Sequence, residues 1–238
     1  MALVISGYTG YNQNLRDMLN DAAKKKGINL PTTNSGSLSN TEVVNGLKQA
    51  LQVGTQNSAK KLSAVNGYFG NQLIKIAMPP EAQKVEQALR DIGMGSKVDQ
   101  AVLSMNRAAE DAATKAVPIF VNAITNMSIQ DGMSILKGDN NAATNFLRSK
   151  TYAALTVAFA PEIKKSLDKV NATKYWGDVF NAYDRIPFVE KVNPDLTSYV
   201  TDKALNGLFI SIAQEEANIR SNPNARVTDL LKKVFGNM

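Results

Sequence analysis

This chain contains neither cysteine nor histidine. No disulfide and no His- or thiolate-bound metal can hold it together, so any fold must rest on packed apolar surface and hydrogen bonds. The same absence removes the usual general base near neutral pH and any thiol nucleophile. Composition suits a fold held in this way. The 238 residues are 44 % apolar and 20 % charged, ordinary proportions for a globular protein. A chain of this length buries roughly 70–75 % of its unfolded surface.

The net charge of +6 admits anionic partners. Bases and acids are mostly interleaved, however, and the one run of three, Lys24 to Lys26, precedes Gly27, where cations favour a helix C-terminus. Aromatic residues make up only 7 % of the chain, and no basic stretch carries the stacking side chains that single-strand binding needs. Nucleic acid is therefore not an expected partner. No apolar run approaches the roughly 20 residues of a transmembrane helix. Met1 to Ile5 is too short for a signal-peptide core. The sequence therefore reads as a cytoplasmic protein, or as one whose export signal has been removed.

Apolar residues recur at helical spacing almost throughout. Leu15, Met18, Leu19 and Ala22 share a face of a short helix that Gly27 can end. A stretch rich in Pro, Thr, Asn, Ser and Gly follows, which sets residues 1–36 apart as an appendage. Ser39 and Glu42 form a capping box that opens the main domain, and Ser128 with Asp131 forms another. Pro80 suits the first turn of a helix, Pro118 should break or kink the path, Pro161 starts or kinks the next segment, Glu162 to Val170, and Pro194 can start the longest late helix. Residues from Val98 to Ala112 make an alanine-rich stripe, the expected central helix. Val227, Leu230, Leu231, Val234 and Phe235 mark a last helix. No stretch alternates at period two over a strand's length. The expected fold is all-α: a single compact domain of about eight to ten helices with short loops over 37–238, plus the N-terminal appendage.

No catalytic constellation stands out. Asn106, Arg107, Glu110, Asp111 and Lys115 form the densest polar cluster, with Asn106–Glu110 and Arg107–Asp111 four residues apart. A salt-bridged solvent face is the expected reading, with a polar ligand site as the alternative. Asp131, Asp139, Asn140 and Asn141 offer oxygen ligands but miss the calcium-loop spacing, and helix capping accounts for Asp131 and one of the Asp139–Asn141 group. Glu215 and Glu216 with Arg220 and Arg226 form a second charged group, in which Glu216–Arg220 reads as an i,i+4 pair. There is no histidine for a helical di-metal centre. Neither a Gly-x-Ser-x-Gly elbow nor a phosphate-cradling glycine loop is present, and Ser166 and Lys165 point to different helix faces. No metal and no cofactor is expected.

Several blocks in order resemble one bacterial family. They are Leu38-Ser39-Asn40 to Ala50-Leu51, Leu103-Ser104-Met105-Asn106-Arg107-Ala108-Ala109-Glu110, Ile135-Leu136-Lys137-Gly138-Asp139, and Lys165 to Val170. Ala172-Thr173-Lys174-Tyr175-Trp176 and the ending Asn222 to Arg226 with Thr228 to Gly236 complete the set. Together, over roughly residues 37–236, the chain is similar to the domain-of-unknown-function family 4197. That resemblance implies no established activity. It does imply an exported protein of Gram-negative bacteria, lipoprotein-like, at the periplasm or the outer-membrane face. This chain has neither the signal nor the lipidated cysteine of that pattern, so membrane association is expected only through a removed lipid anchor.

The matched blocks single out Asn106, Arg107, Glu110, Asp139, Lys174, Tyr175, Arg226 and Asp229 as candidate binding residues, while Trp176 reads as core packing. The expected function is that of a non-enzymatic envelope protein binding a hydrophobic or anionic ligand, or an envelope protein partner, through a helical groove. An apolar cavity lined from Leu147 to Phe159 and from Tyr199 to Ile212 is the expected mark of a lipid ligand. A scaffold without small ligand is one alternative, and a carboxylate- and Arg-based enzyme using Glu110 and Arg107 is the other.

Overall fold

Ser39 is the N-cap of the first described helix. Its side chain accepts from the Glu42 amide and Glu42 returns the bond, so the expected capping box is formed. The computed structural model describes residues 39–169, 171–185, 195–222 and 225. Among them the chain is all-helical, with no strand. The expected helices at 15–23 and 227–235 lie outside the described residues.

The helices are α1 (Asn40–Ser63), α2 (Gln83–Asp91), α3 (Gly95–Ala112), α4 (Val117–Thr125), α5 (Ile129–Lys137), α6 (Ala142–Lys169), α7 (Ala172–Tyr183) and α8 (Leu196–Ser221). Short 3₁₀ turns at Pro80–Ala82 and Ala113–Ala116 lead into α2 and α4. Pro80 and Pro118 sit in the first turns of their elements, where a missing N–H costs nothing. Gly93, at φ +78°, allows the reversal between α2 and α3.

Pro161 behaves differently from expectation. It neither starts nor ends a helix but lies inside α6, which runs unbroken from Ala142 to Lys169. The proline is exposed, and so is Val157 one turn earlier, at 79 %. The carbonyl that the ring leaves unpaired therefore lies on the solvent side, where water can replace the lost bond.

The two long helices α6 and α8 pack along one another, and α3 lies against α1, α6, α7 and α8. Alanine makes this possible. Ala101, Ala108, Ala109 and Ala112 are all essentially inaccessible, as are Ala113 and Ala116 in the following turn. With no side chain beyond Cβ, several neighbours approach one helix closely. Larger residues fill the remaining space, Met105 from α3 itself and Leu155, Phe159 and Phe209 from its neighbours. Phe120 meets the Phe209 ring edge-on at 5.6 Å. Trp176 is buried with its ring 4.7 Å from Phe180, the packing role expected of it.

Replacing Leu155, wholly buried at this centre, by alanine should lower unfolding free energy by about 2–5 kcal/mol, read from urea denaturation. Hydrogen bonds hold three carboxylates below their usual range: Ser128 acts on Asp131, Lys164 and Thr173 on Asp168, and the Ser198 amide on Asp195. A depressed folded-state value contributes stability above the unfolded value of about 4 and loses it as pH falls through the folded one. Urea midpoints should therefore hold near about pH 6 and drop below about pH 3, and Asp195→Asn should flatten part of that drop.

Candidate functional site

Between α1 and the Pro80 turn, residues 64–79 form a strap without regular helix, yet it carries Tyr68, Ile74, Ile76 and Met78 into the core. A buried non-helical backbone must find partners outside itself, and α3 supplies most of them. Asn106 is 0 % exposed. Its Oδ1 accepts from the Ile76 amide at 2.9 Å, and its Nδ2 donates to the Ile76 carbonyl at 2.7 Å. The other Nδ2 proton reaches the Val102 carbonyl one turn back.

Glu110 is 4 % exposed. One carboxylate oxygen accepts from the amides of Tyr68 and Phe69, both at 3.1 Å, and the other accepts from Arg107. Arg107 also donates to Asn66 Oδ1 at 2.9 Å. Tyr68 donates its hydroxyl to the Ala204 carbonyl of α8 at 2.8 Å, and burial, with Glu110 nearby, pushes that hydroxyl far above its usual value.

The expected solvent-face reading of this cluster is therefore corrected. The i,i+4 pairs Asn106–Glu110 and Arg107–Asp111 are replaced by an i,i+3 ion pair and by long-range bonds to the strap. Asp111 turns instead to Ser166 and Lys169 of α6, and Lys115 lies 3.9 Å from Glu162. Only the outer members of the cluster lie on a solvent face.

Glu216 repeats the device at the other end of α8. The Glu216–Arg220 pair is present as expected, but the carboxylate is buried and also accepts from the amides of Ala143 and Thr144 and from the Thr144 hydroxyl. It satisfies the first turn of α6 from a distance, in place of a local cap.

The strap's outer side and the faces of α6 and α8 enclose a groove of about 440 Å³. Gly207 sets its depth. A Cβ there would lie 2.7 Å from Tyr68 Cε1 and 3.2 Å from Ile74 Cβ, so only glycine lets the strap lie this close to α8. Three cations line the groove: Lys75 from the strap, Arg148 from α6 and Lys203 from α8. Each lies over an aromatic ring. Lys75 is 4.3 Å from the Phe69 centroid, Arg148 is 4.9 Å from Phe209, and Lys203 is 5.6 Å from Tyr199.

Arg148 is further fixed by donating to Asn206 Oδ1 at 2.6 Å. Asn206 and Tyr152 both donate to Asp202, and burial and that bond raise the Tyr152 hydroxyl to about 12, so it remains a proton donor at neutral pH. Exposed Leu73 and Ile210 add apolar surface at the rim.

The remaining predicted residues lie elsewhere. Asp139 accepts from the Asn141 amide in the turn before α6, and Asp131 completes the capping box of α5. Lys174 is exposed on α7, and Tyr175, half-buried, packs against the core. Arg226 and Asp229 lie outside the described residues. Asn106, Arg107 and Glu110 do come together, under the strap. No group of three or more Asp or Glu suited to a metal occurs among the described residues. The stretches 147–159 and 199–212, expected to line an apolar cavity for a lipid, pack against each other instead. A small apolar notch between α1 and α8 holds about 20 Å³, room for about one water and not for an acyl chain.

The block carrying Asn106, Arg107 and Glu110 is part of a longer match. A family model described as a protein of unknown function, DUF4197, matches residues 37–236. The chain belongs to this family. No curated protein and no solved structure matches it. Within this member of the family, Asn106, Arg107 and Glu110 of the 103–110 block hold the strap.

Asn106→Ala leaves the Ile76 N–H and C=O buried without partners. It should cost about 2–4 kcal/mol in urea denaturation, and amide exchange at Ile76, Tyr68 and Phe69 should accelerate together.

Proposed function

We propose that this protein is a non-enzymatic binding protein of the bacterial envelope that takes an anionic, partly apolar ligand in the groove between the strap, α6 and α8. One observation carries the reading: three cations converge on one groove whose lining contains no acidic side chain. Its volume falls in the range of small-ligand sites, and its polar groups are few and fixed. Holding Arg148 between Asn206 and aromatic rings reduces the ordering cost of binding.

The closed packing of α6 on α8 favours the anionic branch over an engulfed lipid. A non-enzymatic role fits the engagement of Glu110, whose two oxygens already accept from three donors and are shielded from solvent. Placement in the envelope rests on the family resemblance alone. No helix among the described residues is long and apolar enough to cross a membrane.

The test is a native mass spectrum of protein recovered from envelope extract, beside its denatured mass. Excess mass lost on denaturation is expected, and its value identifies the ligand. The double variant Lys75→Glu/Lys203→Glu should lose that mass with only a small drop in unfolding temperature, because Lys203 is exposed, Lys75 is half-exposed, and each loses one surface cation–aromatic contact. A clean apo mass of the unaltered protein in a defined oligomer would overturn the reading in favour of a scaffold.

A further inference from the structure

The strap beside the groove has the properties of a sheet edge. Residues 75–79 are neither helix nor turn, and burial alternates from 74 to 78: Ile74, Ile76 and Met78 are buried, while Lys75 is half-buried and Ala77 exposed, and residues 73–77 line the groove. The Asn106 amide takes both the N–H and the C=O of Ile76, as a neighbouring strand would. In an extended chain the polar groups of the residues before and after then point to the opposite edge.

Two of those four groups are occupied. The Lys75 N–H donates to the Asn71 carbonyl at 2.8 Å, and the Ala77 carbonyl accepts from Tyr199 at 3.0 Å. The Lys75 carbonyl and the Ala77 N–H have no hydrogen-bond partner among the described residues. They leave one acceptor and one donor on either side of Ile76, in the segment that lines a groove with Lys75, Arg148 and Lys203.

We propose that the groove's ligand is an extended acidic peptide segment of a partner protein, added to the strap as a strand. The peptide donates an N–H to the Lys75 carbonyl and accepts from the Ala77 N–H. Its acidic side chains meet the three cations, and its intervening apolar side chains lie against Leu73 and Ile210. This rests on the anionic-groove reading above and adds the partner's class and the way it is held. A headgroup phosphate or a free phosphate would satisfy the cations and could accept from the Ala77 N–H, but it does not present the alternating N–H and C=O groups that pair both the Ala77 N–H and the Lys75 carbonyl.

The test uses the full chain and a blocked peptide, Thr-Glu-Val-Glu-Val-Thr, followed by fluorescence anisotropy and by amide shifts of Lys75 and Ala77. Two further versions carry N-methyl groups at alternate residues, so that one of them loses the N–H groups facing the strap. The expected result is binding by the acidic peptide and none by its lysine counterpart. Affinity should fall by at least about tenfold for one N-methylated register. Ala77→Pro, which deletes the unpaired donor, should weaken binding to a similar degree. The N-methylated peptides keep the test valid should that variant misfold.

Equal binding of both N-methylated registers would overturn strand pairing while leaving the anionic groove intact. Binding of phosphatidylglycerol vesicles at Arg148 and Lys203, without the peptide, would do the same. If none of these anions moves the groove's signals, both this inference and the anionic-groove reading fail.

Discussion

A buried stretch of backbone that is not helical has to be given hydrogen bonds by something else, and residues 64–79 are such a stretch. Their apolar residues are held in the core by Asn106, Glu110 and the hydroxyls of Tyr68 and Tyr199, each reaching a main-chain group far away in sequence. Without these bonds the strap would carry unpaired polar groups into an apolar interior, at a cost comparable to a large share of a domain's stability. The groove exists because the strap is held there, so the candidate site inherits its geometry from the polar residues of α3.

The alanine content of α3 and its two buried polar residues serve one arrangement. Alanines bring neighbouring helices close, and the same closeness places Asn106 and Glu110 within hydrogen-bond distance of the strap. Glu216 does for the start of α6 what Glu110 does for the strap. In both cases a buried carboxylate accepts from adjacent backbone N–H groups and from an arginine on its own helix. A buried charge needs such partners to be tolerated. Because both oxygens of each are engaged by main-chain N–H groups and an arginine, these carboxylates act as clamps on the segments they hold.

On the groove side, order comes from aromatic rings. Lys75, Arg148 and Lys203 each rest against a ring, and Arg148 is tied to Asn206 as well. Cations held in this manner keep their charge directed at a common space while part of each side chain is already ordered. Gly207 lets Tyr68 and Ile74 of the strap lie directly against α8, so one missing methyl group sets the depth of the groove.

Local chemistry made much of the fold legible in the sequence. The capping boxes at Ser39 and Ser128, Pro80 in a first turn and the 3.6-residue apolar stripes act within a few residues, and those among the described residues form. Pro161 was the exception, because its cost depends on which side of α6 faces solvent. Asn106, Arg107 and Glu110 could be picked out as a group, but not their purpose, since their partners lie 30 to 42 residues away. The groove residues gave even less warning. Lys75, Arg148 and the i,i+4 pair Tyr199–Lys203 come from three distant parts of the chain, and the alternation at 74–78 is too brief to register against a helical background. The sequence by itself determined that the protein would be helical, where most helices begin, and that no thiol or imidazole would take part. Tertiary structure alone decided which polar residues were buried and which cations converged, because both depend on chain segments brought together only by packing.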